Sequence, residues 1–371
     1  MKIAIDCRLW NETGVGRYIR NLVWELSKVD SKNEYTLFFR SNEFLTVQIP
    51  KGKFEKKLAD FRWHSLQEQL EFPKLLNKFN FDLVHFPYFS VPIRYGNPYV
   101  VTIHDLILHN YPTGEASTLP KLFYEAKLLG YKYVTQKAAE NAQRIIAVSE
   151  STKSEILDHL KVDSGKISVI YEGVEQVREG KAKIRTALER LESYFLYVGN
   201  MYPHKNVSLL LHAFSEITHG GAGVKMVFVG KEDYFQSKIR KLVNKLGLVD
   251  SVVFLGEVSD EELSYLYGHA WALVCPSRME GFGLPLLEAM NSKCLVIASD
   301  IPVFKEIGAE NVLYFKSGSM LELAEKMQHV IVSPQDSFKS YIIGGQKRSR
   351  AFSWEKQAKE TVALYESCTR I

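Results

Sequence analysis

Short apolar runs alternate with longer helix-period segments along this chain, and near its middle the alternation starts afresh. Residues 3–6, 35–39, 83–86, 99–104, 145–148 and 167–171 read as strands, with helices near 15–28, 64–79, 118–141 and 150–160. A polar stretch carrying glycines and charges, 172–183, reads as a linker. Strands then return at 195–198, 226–229, 252–255, 270–275, 295–298 and 313–315, with helices near 206–217, 235–246, 261–267, 284–291 and 321–330. Apolar strands that alternate with helices predict parallel sheets covered on both faces, an α/β architecture. A chain of 371 residues has length enough for two such cores. The expected organisation is two Rossmann-like, doubly wound domains, 1–172 and 173–352, and a last helix within 353–371 that Ser353 caps.

The segment 276–290 adds chemistry to that frame. It follows the apolar run 270–275; Gly281 and Gly283 make a tight turn, and Pro285 sits in the first turn of a helix. That helix is apolar on nearly all sides yet carries Glu288, a charge that needs a partner if buried. Glu280 stands just before the turn. A strand, a glycine turn, a helix start and two carboxylates describe a site for a ligand bearing phosphates and a polyol.

Three further places carry chemistry. Gly14-Val15-Gly16-Arg17-Tyr18 follows the first strand, where glycines let amides approach a phosphate. The dinucleotide fingerprint is incomplete there: Ile19 holds the place of its third glycine, and the second strand ends at Arg40 rather than in an acid. Lys205, in Asn200-Met201-Tyr202-Pro203-His204-Lys205-Asn206, is read as opening a helix, where it adds a mobile charge suited to a leaving diphosphate and costs little stability if removed. His104 ends a strand at the sheet's carboxyl edge, with Asp105 either orienting it or capping the next segment. A satisfied core histidine is its other reading. On the helix 118–141, Leu122, Phe123, Ala126, Gly130, Tyr133 and Val134 are expected to face the core. The opposite face, Lys121, Tyr124, Leu128, Tyr131 and Lys132, would suit lipid head groups, a glycan or plain solvent.

Hydrophobic residues at 46% and charged residues at 24% are ordinary for a globular protein. A net charge of +4 and a pI near 8.6 are too mild to imply nucleic acid and do not oppose anionic ligands or lipid head groups. Cys7, Cys275, Cys294 and Cys368 are scattered and read as reduced core thiols. The chain enters a strand at once and holds no apolar run of membrane-spanning length, so a cytosolic protein with room for peripheral membrane contact is expected.

With Glu280-Gly281-Phe282-Gly283-Leu284-Pro285 and Glu288, the chain resembles retaining GT-B glycosyltransferases of the family-four type, group 1. The resemblance spans essentially the whole chain. The opening Ile5-Asp6-Cys7-Arg8 and the stretch 85–105 look most like bacterial mannosyltransferases of surface-polysaccharide assembly. It implies a GT-B fold of two doubly wound domains facing a central cleft, acceptor on the first and nucleotide sugar on the second, with the last helix crossing back to the first. Glu288 would hold the ribose, Glu280 the donor sugar, and the amides of Phe282, Gly283 and Leu284 the sugar or diphosphate. Gly16 would line the donor pocket, Lys205 bind the diphosphate, and His104 lie near the reacting bond. An arginine usually accompanies that lysine; His204 and Asn200 hold its places here, leaving Arg17 or Arg278 to substitute.

The implied activity is metal-independent, retaining transfer of a hexose from a nucleoside diphosphate sugar, GDP-mannose first, to a glycan or lipid-linked acceptor. No cofactor beyond that donor is expected, and the absence of any Asp-x-Asp pair removes the usual carboxylates for a donor-bound metal. A UDP-sugar donor, a Rossmann oxidoreductase and a catalytically silent sugar-nucleotide binder are the alternatives.

Overall fold

The computed structural model describes residues 1–114, 120–174, 188, 191–218 and 223–368. Residues 175–183 of the expected linker, and 118–119 of the expected long helix, lie outside that part. The chain divides into two compact units: Met1–Gly173 with Phe352–Ile371, and Val174–Ala351.

The first unit is built on β1 (Lys2–Asp6), β2 (Glu34–Phe39), β3 (Phe54–Leu58), β4 (Leu83–Phe86), β5 (Tyr99–Ile103), β6 (Arg144–Ala147) and β7 (Ile167–Val169). Their order is β3-β2-β1-β4-β5-β6-β7, and every pairing is parallel. The central strands β4 and β5 are buried along their whole length, as their unbroken apolar runs require. Reading the sequence missed β3, whose Phe-Glu-Lys-Lys-Leu has too little apolar content to register. It is an edge strand, where lysines discourage further pairing. The helix Gly14–Val29 buries Ile19, Leu22, Val23 and Leu26 at helical spacing and packs against the closing helix, Trp354–Cys368.

The helix Lys121–Asn141 corrects an expectation. Leu122 and Phe123, read as core, are 76% and 67% exposed, whereas Tyr131, read as an outer residue, is buried. The inward stripe is instead Tyr131, Thr135, Ala138 and Ala142, again at steps of three and four. Ala138 and Ala142 join the core cluster that Val101 and Ile145 of the sheet belong to.

The second unit repeats the plan with β8 (Tyr194–Val198), β9 (Lys225–Val229), β10 (Val252–Gly256), β11 (Ala272–Cys275), β12 (Val296–Ser299) and β13 (Leu313–Phe315). The order is β10-β9-β8-β11-β12-β13, all parallel. Strand order therefore reverses between β1 and β4 in one unit and between β8 and β11 in the other. Doubly wound sheets bind ligands just beyond the strand ends at such points. All four cysteines are buried and free. Among the described residues, no helix is long and apolar enough to cross a membrane.

Candidate active site

In the Val174–Ala351 unit, the loops leaving β8 and β11 meet at the reversal of strand order. The β8 loop runs into a 3-10 turn, Pro203–Lys205, then Asn206 in the left-handed conformation at φ 56°, and only then the helix Val207–Thr218. Lys205 therefore does not open a helix, as the sequence reading had it. It closes a turn that aims its side chain across to the β11 loop. There its Nζ lies 2.6 Å from Oε2 of Glu280, with the two side chains 20% and 14% exposed. The Ser277 hydroxyl donates to Oε1 of the same carboxylate at 2.7 Å. Burial alone would raise the Glu280 pKa, but the Lys205 ammonium, with His204 and the Ser277 hydroxyl, holds it below the ordinary value. The carboxyl is thus ionised at neutral pH with both oxygens engaged.

The expectation that Lys205 could be removed at little cost falls with this geometry, because its loss would leave a largely buried carboxylate without its cation. His204, in the arginine's place, is pushed down to about 4 by burial and the adjacent Lys205 charge, so it is neutral near pH 7. Arg278 is better placed. Its backbone N–H donates to the His204 carbonyl at 2.8 Å, and its guanidinium has no carboxylate partner among the described residues.

Beyond Glu280 the chain turns at Gly283, whose φ of 97° only glycine adopts without strain, and whose added Cβ would lie 2.8 Å from the Phe304 ring. Phe282 is buried beside it. Leu284 then begins the helix Leu284–Asn291, with Pro285 in its first turn. The first amides of a helix have no intrahelical acceptor, which places the Leu284 N–H among those facing outward from the helix start. Glu288, one turn further, is 7% exposed, and the Tyr267 hydroxyl donates to its Oε2 at 3.1 Å. Tyr267 comes from the helix Asp260–His269, which Ser259 and Glu262 start with a capping box.

In the Met1–Gly173 unit, His104 follows β5 and is 8% exposed. Its Nε2 lies 3.0 Å from the Pro87 carbonyl and its Nδ1 2.9 Å from Glu172 Oε1. A carbonyl only accepts, so Nε2 donates to Pro87, and Glu172 fixes the ring from its other nitrogen. Glu172, which the reading placed in the linker, is the residue that orients His104. Asp105 caps instead, accepting from the Ile107 N–H at 3.1 Å. Glu172 directly follows a predicted strand at the sheet's carboxyl edge, which was a usable signal. Gly16 lies inside the first turn of Gly14–Val29, where an added Cβ would strike the carbonyls of Trp10 and Leu9 at 2.5 and 2.8 Å. That close approach is within the chain itself. Tyr18, two residues on, meets the His104 ring edge-on at 4.9 Å. His85 is fully buried between Tyr365 and Thr102.

The structure thus joins Lys205 with Glu280 in one unit, and the Gly16 helix with His104 in the other. Glu288 has its own anchor, Tyr267.

Comparison with known proteins adds the lineage. Residues 181–348 match the model described as glycosyl transferases group 1, and residues 13–178 match glycosyltransferase family 4. The O-antigen chain mannosyltransferase RfbU of Salmonella typhimurium is 34% identical over 70% of this chain and 67% of its own length. The O-antigen chain mannosyltransferase B of Escherichia coli is 26% identical over 95% of this chain and 96% of that protein. Among solved structures, sucrose-phosphate synthase from Thermosynechococcus elongatus shares the fold with a TM-score of 0.80 at 20% identity, covering 99% of this chain and 98% of that one. WaaG, a glycosyltransferase involved in lipopolysaccharide biosynthesis, does so at 0.75 and 14%, covering 98% and 99%. The chain belongs to the group 1 glycosyltransferases, the family-four type with the GT-B fold.

Proposed function

We propose that the chain is a retaining mannosyltransferase that moves mannose from GDP-mannose to a hydroxyl of a glycan or lipid-linked acceptor, with no metal ion on the donor diphosphate. The observation that carries the reading is the Lys205–Glu280 contact at the reversal of strand order in the second sheet. A cation there suits a leaving diphosphate, and a carboxylate held in place suits a sugar hydroxyl. The O-antigen mannosyltransferases among the relatives support mannose as the sugar.

In this proposal the Val174–Ala351 unit takes the donor and Met1–Gly173 the acceptor. Glu288 accepts from the ribose hydroxyls beside Tyr267. The amides at Phe282, Gly283 and Leu284 and the ammonium of Lys205 receive the diphosphate, and Arg278 supplies the second positive charge. As the bond from the anomeric carbon to the diphosphate breaks, the acceptor oxygen bonds to the same face. Its proton passes to a donor phosphate oxygen, and GDP departs. Lys205 meets the charge that builds on that leaving group. Glu280, with both oxygens held, orients the sugar rather than attacking it. In the Met1–Gly173 unit, His104 is fixed by Glu172 and lies beside the Gly16 helix. Action in the cytoplasm, with peripheral contact to a membrane carrying the acceptor, belongs to the same proposal.

Titration with GDP and UDP in EDTA, followed by transfer from GDP-mannose and from UDP-sugars, tests it. GDP should bind under chelation and GDP-mannose should donate with its anomeric configuration kept. Glu288→Ala should weaken GDP by roughly ten- to a hundredfold, the worth of a hydrogen bond to a charged acceptor. Glu280→Ala should keep GDP and lose transfer. Preference for UDP, activity restored only by magnesium or manganese, or an inverted product would overturn the corresponding part.

A further inference from the structure

The segment 104–110, which His104 begins, is held from behind by one face of the helix Glu150–His159. Thr152, Glu155 and His159 reach it from that helix at steps of three and four, so all three stand on one side. The first hold is a directed chain of hydroxyls. Ser149, the helix N-cap, accepts from the Thr152 N–H at 2.9 Å and donates to the Thr152 hydroxyl at 3.0 Å. That hydroxyl in turn donates to the backbone carbonyl of His104 at 3.2 Å. At the far end, His159 Nε2 lies 2.7 Å from the Asn110 side-chain oxygen, and the His109 and His159 rings are 5.4 Å apart.

Between these two holds stands a carboxyl group. Glu155 accepts from the Leu106 N–H, two residues beyond His104. Its Oε2 is sealed from solvent and has no hydrogen-bond partner among the described residues. The charges that act on it, Asp105 from the segment and Asp158 from its own helix, are both negative. Tyr131 faces it from Lys121–Asn141, and burial raises the pKa of that phenol, so it stays uncharged. The Tyr131 hydroxyl lies 3.0 Å from His109 Nδ1. Burial, and then the charges of His159 and Lys132, push that imidazole down to about 4, so it is neutral as well.

The Leu106 N–H favours a charged Glu155, but burial and the neighbouring carboxylates outweigh it. An ionised Glu155 would set a second negative charge against Asp105, with one oxygen neither hydrated nor bonded. Asp105 directly follows His104, so what displaces one moves the other.

We propose that Glu155 is a positioning residue for His104: while it carries its proton, the helix Glu150–His159 holds the 104–110 segment in place, and its ionisation loosens that hold. The inference rests on the glycosyl-transfer reading only in giving His104 a part in transfer. Glu172 and Pro87 set the histidine ring, whereas this helix sets its backbone. Transfer then depends on the Glu155 proton and declines as pH rises, although Glu155 exchanges no proton with a substrate.

Single-turnover transfer at saturating donor, followed from about pH 6.5 to 8.5, tests this. The parent should slow by roughly tenfold or more across that range, as a group titrating near 7 loses its proton. Glu155→Gln keeps a neutral side chain of the same length. It should hold its rate across the range and bind GDP like the parent at each pH. Glu155→Ala should be slow at both ends. A Glu155→Gln profile that falls with the parent's would overturn the assignment, because a merely structural role leaves the pH profile unmoved. A second readout needs no donor. In amide spectra of the isotope-labelled full chain, the Leu106 N–H should shift with a midpoint near pH 7 and stay still in Glu155→Gln. A parent Leu106 signal without that step would overturn the proton's place on Glu155. A chain that shows the step but binds no GDP and transfers from no donor would retain the Glu155 hold on the segment and lose the glycosyl-transfer reading.

Discussion

Lys205 and Glu280 neutralise each other at 2.6 Å before any donor arrives, so a diphosphate must compete with a carboxylate for its cation. The competition sets what each substitution does. Lys205→Ala should slow transfer by roughly a hundred- to a thousandfold, the usual cost of losing one preorganised charge at a leaving group. It should also destabilise the fold by about 1–3 kcal/mol, between the values for exposed and fully buried pairs. Lys205→Ala combined with Glu280→Gln should recover most of that stability and none of the activity, because the orphaned charge is gone. Paired melting curves and single-turnover transfer at saturating donor read both effects, and a single variant as stable as the parent would show that the pair contributes nothing to folding. Arg278 separates cleanly from this pair, since its guanidinium holds no carboxylate among the described residues. Arg278→Ala should weaken GDP with its melting curve unmoved; unchanged GDP affinity would send the second phosphate charge elsewhere.

Helices and strands were legible wherever burial and periodicity agreed. The two sheets, their parallel sense and the 276–290 segment follow from apolar runs and glycine placement. What failed to register had a local cause each time. The helix Lys339–Ser349 carries Gly344 and Gly345, poor helix formers kept by packing: a Cβ on Gly344 would lie 2.0 Å from the Asn311 side-chain oxygen. The Lys205 turn depends on one left-handed asparagine, and Glu172 was hidden because a buried charge looks like linker until its histidine is found. The helix Glu150–His159 makes a prediction that only the structure could supply. Burial, and then the charge of Asp105, raises Glu155 to about 7. The folded chain thus keeps a proton that the unfolded chain releases above its ordinary carboxylate pKa. This group's favourable contribution is complete below that unfolded pKa and is lost as pH rises through 7. Glu155→Gln should therefore melt higher than the parent at pH 8, and the gap should close by about pH 4.5. A gap that is constant across this range would mean Glu155 does not titrate as placed.

At the scale of the whole chain, the first unit is completed by its last residues. Phe352 packs edge-on against Tyr171 at 5.3 Å, and Trp354, 3% exposed, lies against Tyr18. Further along, the Tyr365 hydroxyl meets His85 Nδ1 at 2.6 Å, and burial pushes that imidazole down to about 3, so it stays neutral. The departing and returning segments of the chain touch at Gly173. An added Cβ there would lie 2.1 Å from the Trp354 nitrogen and 2.4 Å from the Ser353 carbonyl carbon. Both are backbone atoms, so no rotamer change can make room. Gly173→Ala must displace the start of the helix Trp354–Cys368, for a cost of about 1–3 kcal/mol or somewhat more. The damage should stay within one unit, because Gly173, the closing helix and its partner Gly14–Val29 all belong to the first. Amide hydrogen exchange resolves this directly. In Gly173→Ala, protection should fall in Trp354–Cys368 and Gly14–Val29, while β8, β9 and β11 exchange as in the parent. Equal loss in both units would show that they unfold as one cooperative body. Unchanged protection in the closing helix would mean that the chain passes Gly173 with more room than its backbone positions allow.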